Sequence, residues 1–241
     1  MDIKEKIEQL NSQFEGKPAE NVLQYFLVEH KGKIALSSSL GAEDQVLTDM
    51  ICKLDAQTGI YTLDTGRLFP ETYKLIDDTN KKYQIKIKIF FPEAKQVEDM
   101  VMDKGINLFF DSVENRKLCC HIRKIEPLKR ALSGLDVWIC GLRKDQSITR
   151  FFNKVVEWDE ANGLIKINPL LNWSEKDVWD YIKQNNVPYN ELHDKSFPSI
   201  GCQPCTRAIG FGEDVRSGRW WWEQPEHKEC GLHNRPIQTE S

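Results

Sequence analysis

Lys33-Ile34-Ala35-Leu36-Ser37-Ser38-Ser39-Leu40-Gly41-Ala42-Glu43-Asp44-Gln45-Val46-Leu47 is the stretch that decides the fold. The apolar run before the serines reads as a buried strand. Past the loop, Val46, Leu47, Met50 and Ile51 recur at helical spacing. A strand therefore ends, a loop turns and a helix starts. Such a junction offers unpaired backbone N–H groups at the positive end of a helix dipole, which suits an oxyanion. Ser37, Ser38 and Ser39 add short donors, and Gly41 lets the backbone come close. No Gly-Lys-Ser/Thr follows at the spacing of a Walker loop. The stretch reads equally well as an ordinary Ser/Gly turn with Asp44 or Ser39 as N-cap.

Outward from this loop, strand and helix patterns alternate. Gly59–Leu63, Lys86–Phe91 and Asp136–Cys140 read as further strands. Glu71–Tyr83, Ala94–Lys104 and Ile122–Leu132 read as helices, and two amphipathic helices precede Lys33. Val155–Trp158 and Leu164–Ile167 look like a hairpin, and Ser174-Glu175-Lys176-Asp177 opens a helix through a capping-box variant. The alternation predicts an α/β fold with a parallel sheet covered on both faces. Ligands of such sheets bind beyond the C-terminal strand ends. That rule puts the serine loop, the Asp64–Pro70 loop and Gly141–Arg150 on one rim. The last brings Arg143, Lys144 and Arg150 to the rim. Residues 1–185 are expected to form the nucleotide-binding unit. Residues 186–241 read as a loop-rich segment rather than an independent domain.

A chain of 241 residues with a formal net charge of −4 is not a general nucleic-acid or membrane surface. No apolar run has the length of a membrane span, and the start lacks the apolar core of a secretory signal. A cytosolic location is expected, where thiols stay reduced. Seven cysteines in a reducing compartment favour a metal site or catalysis over disulfides. Cys52 and Cys140 sit in apolar patterns and read as small buried hydrophobes.

The others carry chemistry. Cys119-Cys120 and Cys202-Gln203-Pro204-Cys205 supply two thiol pairs, enough for tetrahedral zinc or an iron–sulfur cluster. Spacing leaves that choice open, although an ungapped pair is unusual for structural zinc. Cys230, with Gly231 beside it and His233 three residues on, is a candidate nucleophile or else an idle terminal cysteine. Arg216 and Arg219 beside Trp220-Trp221-Trp222 read as an anion clamp with an aromatic wall, or as a solvated loop.

Four segments together resemble the phosphoadenylyl/adenylyl sulfate reductases of assimilatory sulfate reduction. They are the serine loop, Leu63–Thr72, Gly141–Ser147 and Glu229–His233. The four paired cysteines resemble the iron–sulfur branch, which reduces adenosine 5′-phosphosulfate. The resemblance implies an adenine nucleotide alpha hydrolase-like (PP-loop) fold, and a [4Fe–4S] cluster on Cys119, Cys120, Cys202 and Cys205. It implies Cys230 as the residue that takes the sulfonate, with His233 as an auxiliary. Ser37, Ser38, Ser39 and Gly41 would surround the phosphosulfate. Lys124, Arg143, Lys144, Arg150, Arg216 and Arg219 would supply charge, and Leu63, Asp64, Thr65, Gly66 and Gly141 would complete the nucleotide site. Thioredoxin or a similar thiol donor is the implied partner. Oligomeric state stays open. Rival readings are a reductase of the 3′-phosphorylated nucleotide or of both, an ATP-hydrolysing adenylyl transferase, and a zinc-stapled binding module.

Overall fold

Alternation along the strands shows which residue goes where. In β1 (Ile34–Ser37), Ile34 and Leu36 join one apolar cluster while Ala35 joins the other. In β4 (Val137–Ile139) the same period sends Val137 and Ile139 one way and Trp138 the other. The sheet therefore has two buried faces. α1 (Ile3–Phe14), α2 (Ala19–Glu29), α3 (Ala42–Leu54), α4 (Pro70–Tyr83) and α8 (Glu175–Gln184) cover the first face. Leu128, Ala131 and Leu132 of α7 (Glu126–Leu132) pack on the second. α5 (Ala94–Lys104) and α6 (Val113–Cys120) complete the helices. This computed structural model describes residues 2–146 and 152–224.

The remaining strands are β2 (Gly59–Leu63), β3 (Lys88–Phe90), β5 (Val156–Asp159) and β6 (Leu164–Ile167). Their order is β3-β2-β1-β4-β6-β5, parallel throughout except for the antiparallel edge pair β5–β6. The chain runs from β1 outward to β3, then returns to place β4 on the other side of β1. That reversal opens a crevice above β1 and β4, the usual ligand position of open α/β sheets.

Three local outcomes differ from the periodicity. β3 is shorter than the apolar run Lys86–Phe91, because Ile87 N donates to Asn80 Oδ1 at 2.8 Å and the Phe91 carbonyl is taken by Arg130. The helix before the fourth strand begins at Val113 instead of Ile122, capped by Ser112, whose Oγ accepts from Asn115 N at 3.1 Å. Its sequence lacks an apolar stripe because its most buried member is Arg116. The hairpin extends the main sheet through β6. Ser174 and Asp177 do form a reciprocal cap at the start of α8.

Behind the sheet, Asp49 is 2% exposed and locks three helices. It accepts from Tyr83 and Tyr181 hydroxyls at 2.8 Å each and pairs with Lys53 at 2.6 Å. Removing it strands two hydroxyls. Asp49→Ala is expected to cost roughly 3 kcal/mol of unfolding free energy in urea titrations. A cost within a few tenths of wild type would mean that this network is solvated.

Candidate functional site

The crevice holds a cavity of about 830 Å³. Its wall includes Ser37, Ser38, Ser39, Gly41, Leu63, Thr65, Lys124, Gly141, Arg143, Arg216 and Arg219. Asp64, Gly66 and Lys144 are not in that wall, and Arg150, Cys230 and His233 lie outside the described residues.

The serine loop is tightly organised. Leu40 is buried with φ at 61°, a left-handed conformation costly for leucine, so the surroundings must impose it. Asp44, in the first turn of α3, takes both the N–H and the hydroxyl of Ser39 on Oδ2 at 2.6 Å. Leu40 N donates to Ser38 Oγ at 3.1 Å. Ser39 therefore spends its donors on shaping the loop. Burial pushes the Asp44 carboxyl up from 3.8 to about 6, against the lowering effect of the Ser39 bonds. Gly141 crosses close by: a Cβ there would sit 2.2 Å from Asp44 Oδ1. Glu43, the other acid beside the loop, is paired with Arg143 Nε at 2.8 Å. Arg143, expected to face an anion, thus cancels a carboxylate at the rim.

The loop after β2 is fixed from below. Asp64 Oδ1 accepts from Gly66 N at 2.7 Å and from the Tyr73 hydroxyl at 3.0 Å, so Asp64 holds the turn rather than entering the cavity. Gly66 sits at φ 71°. Arg123 Nη1 donates to the Thr65 carbonyl at 2.6 Å, and Thr65 Oγ1 lies 3.2 Å from Cys202 Sγ. Gln203 N donates to the Arg67 carbonyl at 2.8 Å. One short loop is thereby tied to both cysteine pairs.

The two pairs meet in a second, small cavity of about 20 Å³. Cys119, Cys120, Cys202 and Cys205 line it with Arg67, Arg116, Arg123, Lys124, Phe109 and Trp220. Lys124 and Cys202 stand in the walls of both cavities. Between α6 and α7 the helix widens into a π turn, His121–Ile125, which carries Arg123 and Lys124. Burial pushes the Cys119 thiol up and the Cys205 thiol up to about 12. Thiolates here need a positive centre to form. Arg123 Nε and Trp220 Nε1 are buried without partners beside them. Among the described residues no three His, Cys, Asp or Glu side chains could hold a single ion. The four cysteines line one cavity, and four thiols are the donor set of an iron–sulfur cluster or of a zinc site.

Arg123 and Arg219 are 8% and 7% exposed. Neither is paired with a carboxylate among the described residues; they bond only carbonyl and hydroxyl oxygens. Two buried cations without counter-charge mark the places where anions belong. Arg123 escaped the sequence reading although it directly precedes Lys124. Trp179, on the helix that the capping box opens, and Tyr189 and His193, from the loop-rich segment after it, also line the cavity. Burial lowers the His193 imidazole, whose Nε2 has no partner.

Residues 33–208 match the profile of the phosphoadenosine phosphosulfate reductase domain. The chain is 54% identical over 204 residues to an adenosine 5′-phosphosulfate reductase of Allochromatium vinosum, covering 85% of this chain and 80% of that one. It is 50% identical to the enzyme of the same name from Burkholderia cepacia, covering 87% and 84%. Among solved structures, the phosphoadenylyl-sulfate reductase of Candida auris in its phosphate complex superposes with a TM-score of 0.74 at 31% identity, covering 87% of this chain and 98% of that one. An FMN adenylyltransferase of Candida glabrata, at 17% identity and a TM-score of 0.54 over 88% of this chain and 76% of that one, shares the fold alone.

Because the folded state binds the Asp44 proton more tightly than the unfolded chain, its contribution to stability is full below pH 3.8. It is lost as pH rises through about 6. Asp44→Asn is expected to abolish that falling limb, at most about 3 kcal/mol between the two pH values. Urea unfolding of both proteins across this range measures it, and identical slopes would refute the assignment.

Proposed function

This chain belongs to the phosphoadenosine phosphosulfate reductase family and is an enzyme that reduces adenosine 5′-phosphosulfate in sulfate assimilation; we propose that it does so through an S-sulfocysteine on Cys230. The observation that carries this reading is the shared wall of Lys124 and Cys202 between the large cavity and the four-thiol pocket. It puts a cation, a nucleotide-sized space and the thiol pairs within one wall.

The substrate is a mixed anhydride of AMP and sulfate. In the proposed first step the Cys230 thiolate attacks the sulfonate sulfur, forming an S–S bond. The S–O bond to the AMP phosphate breaks, and its electron pair leaves on AMP. A thiolate of the donor then attacks Cys230 Sγ, and sulfite departs with the pair of the old S–S bond. The donor's second thiol releases Cys230 and leaves the donor as a disulfide. Donor oxidation supplies both electrons. A thioredoxin-like protein in the cytoplasm fits that role; among the described residues no helix is long and apolar enough to cross a membrane.

The chain's own residues bind and orient. Lys124, Arg216 and Arg219 face the charge that builds on the leaving phosphate. Arg143 neutralises Glu43, which would otherwise repel the anion. The serine loop, with Gly41 and Gly141, gives the nucleotide a close-fitting rim, Leu63 and Thr65 form its other side, and Gly66 shapes the turn behind them. Lys144, Arg150 and His233 belong to the same proposal as flanking groups. Cys119, Cys120, Cys202 and Cys205 would hold a [4Fe–4S] cluster, whose chemistry here is electrostatic and architectural. The segment from residue 186 onward belongs to the same proposal as part of one domain with 1–185, since its described residues line both cavities.

The second reading, a reductase of the 3′-phosphorylated nucleotide, draws on the likeness to the Candida auris enzyme. Comparing kcat/KM for the two nucleotides separates them.

Mixing the enzyme with adenosine 5′-phosphosulfate without a thiol donor should leave one sulfonate adduct, mapped by mass spectrometry to Cys230. Cys230→Ser should form no adduct and release no sulfite, with iron content unchanged. Sulfite release by that variant would end the proposal. Cys202→Ser should instead lose iron and activity together, measured by metal analysis and turnover.

A further inference from the structure

We propose that Glu223 is a positioning residue for substrate binding, acting through a stack of Arg116, Trp220 and Arg219. The inference rests on the reading of Arg219 as a cation that faces the nucleotide's anion. Arg116 is 1% exposed and Glu223 9%. The carboxylate accepts from Arg116 Nε at 2.9 Å and from Nη2 at 2.8 Å. A bidentate pair this buried admits one relative orientation. The Arg116 guanidinium carbon lies 4.8 Å from the centre of the Trp220 ring, and that of Arg219 lies 4.7 Å from the same ring. One indole thus touches both cations.

Trp220 is itself constrained. Its φ of 42° is a left-handed conformation that a tryptophan takes only under compulsion. Its N–H donates to the Cys205 carbonyl at 3.2 Å, and its carbonyl accepts from Glu223 N at 2.9 Å. Carboxylate, indole and backbone therefore hold one another. The Arg219 side chain, at the far end, has only long hydrogen bonds among the described residues: 3.3 Å to the Ile200 carbonyl and 3.5 Å to Ser199 Oγ. Gly201 makes room for it, since a Cβ there would sit 2.3 Å from Nη2. Arg219 is aimed into the large cavity chiefly by what lies behind it.

Without the Glu223 charge, the Arg116 guanidinium loses the bidentate anchor that fixes its orientation and can turn away from Trp220. Trp220 then relaxes from its forced backbone, and Arg219 loses its backing.

Glu223→Gln keeps the shape and removes the charge. Calorimetric titration with AMP should give a Kd raised about 10-fold, and kcat/KM for adenosine 5′-phosphosulfate should fall at least as far, because Arg219 also meets the charge on the leaving phosphate. Iron content should stay at the wild-type level. In an Arg219→Lys background, where no planar group stacks, the same change should raise the AMP Kd no further. Arg116→Lys, which loses the fork but keeps the charge, should repeat the effect in smaller measure and serves if Glu223→Gln does not fold. An unchanged AMP Kd, an equal rise in both backgrounds, or loss of iron in Glu223→Gln would each overturn the proposal. Wild-type protein that forms no sulfite would instead refute the assigned reaction, while the AMP titrations still decide the stack.

Discussion

Uncompensated positive charge below the surface is the constraint that the rest of this molecule answers to. Each of Arg123 and Arg219 lies buried with only neutral oxygens as partners among the described residues. Desolvating a cation costs several kcal/mol unless an anion repays it. The acids that could do so are engaged elsewhere, Glu43 by Arg143 and Glu223 by Arg116. Asp44 is turned onto Ser39 and holds its proton to about pH 6. Glu43, Asp44, Glu175 and Asp194 stand in the wall of the large cavity, yet among the described residues none of them pairs with Arg123 or Arg219.

The sheet makes this arrangement geometrically simple. Reversal of strand order beside β1 puts the serine loop and Gly141 on opposite lips of one crevice. The loop after β2 then reaches over to the thiol pocket, with Thr65 against Cys202 and Arg123 on the Thr65 carbonyl. Nucleotide site and thiol pocket are therefore neighbours sharing side chains. A disturbance in either pocket reaches the other through Thr65 and Lys124 within a few bonds.

Much of this was legible in the chain. Strand and helix alternation gave the sheet, because core residues there obey simple periods; the serine loop fell where a strand end meets a helix start, and both cysteine pairs stood out by their spacing alone. What escaped was polar. α6 has no apolar stripe because its most buried side chain, Arg116, is charged, and its bidentate partner Glu223 lies 107 residues away in the chain. Arg143 and Lys144 look alike in sequence, yet one is spent on Glu43 and the other stands outside the cavity wall. Long-range pairing of charges leaves no local pattern. Likewise Leu40 and Trp220 adopt backbone conformations that their residue types argue against, and nothing but the assembled fold could reveal them.

The widened turn at His121–Ile125 has a consequence for how this protein can change. It acts as a one-residue phase slip between two helical registers. The tandem cysteines before it and Leu128 and Leu132 after it obey different clocks. Trimming one residue there would close the bulge into a regular helix, in which the flanking side chains keep their faces while Arg123 and Lys124, carried on the bulge, lose theirs. Neither the length of this segment nor its Arg123 and Lys124 can change without disturbing the wall between the two cavities.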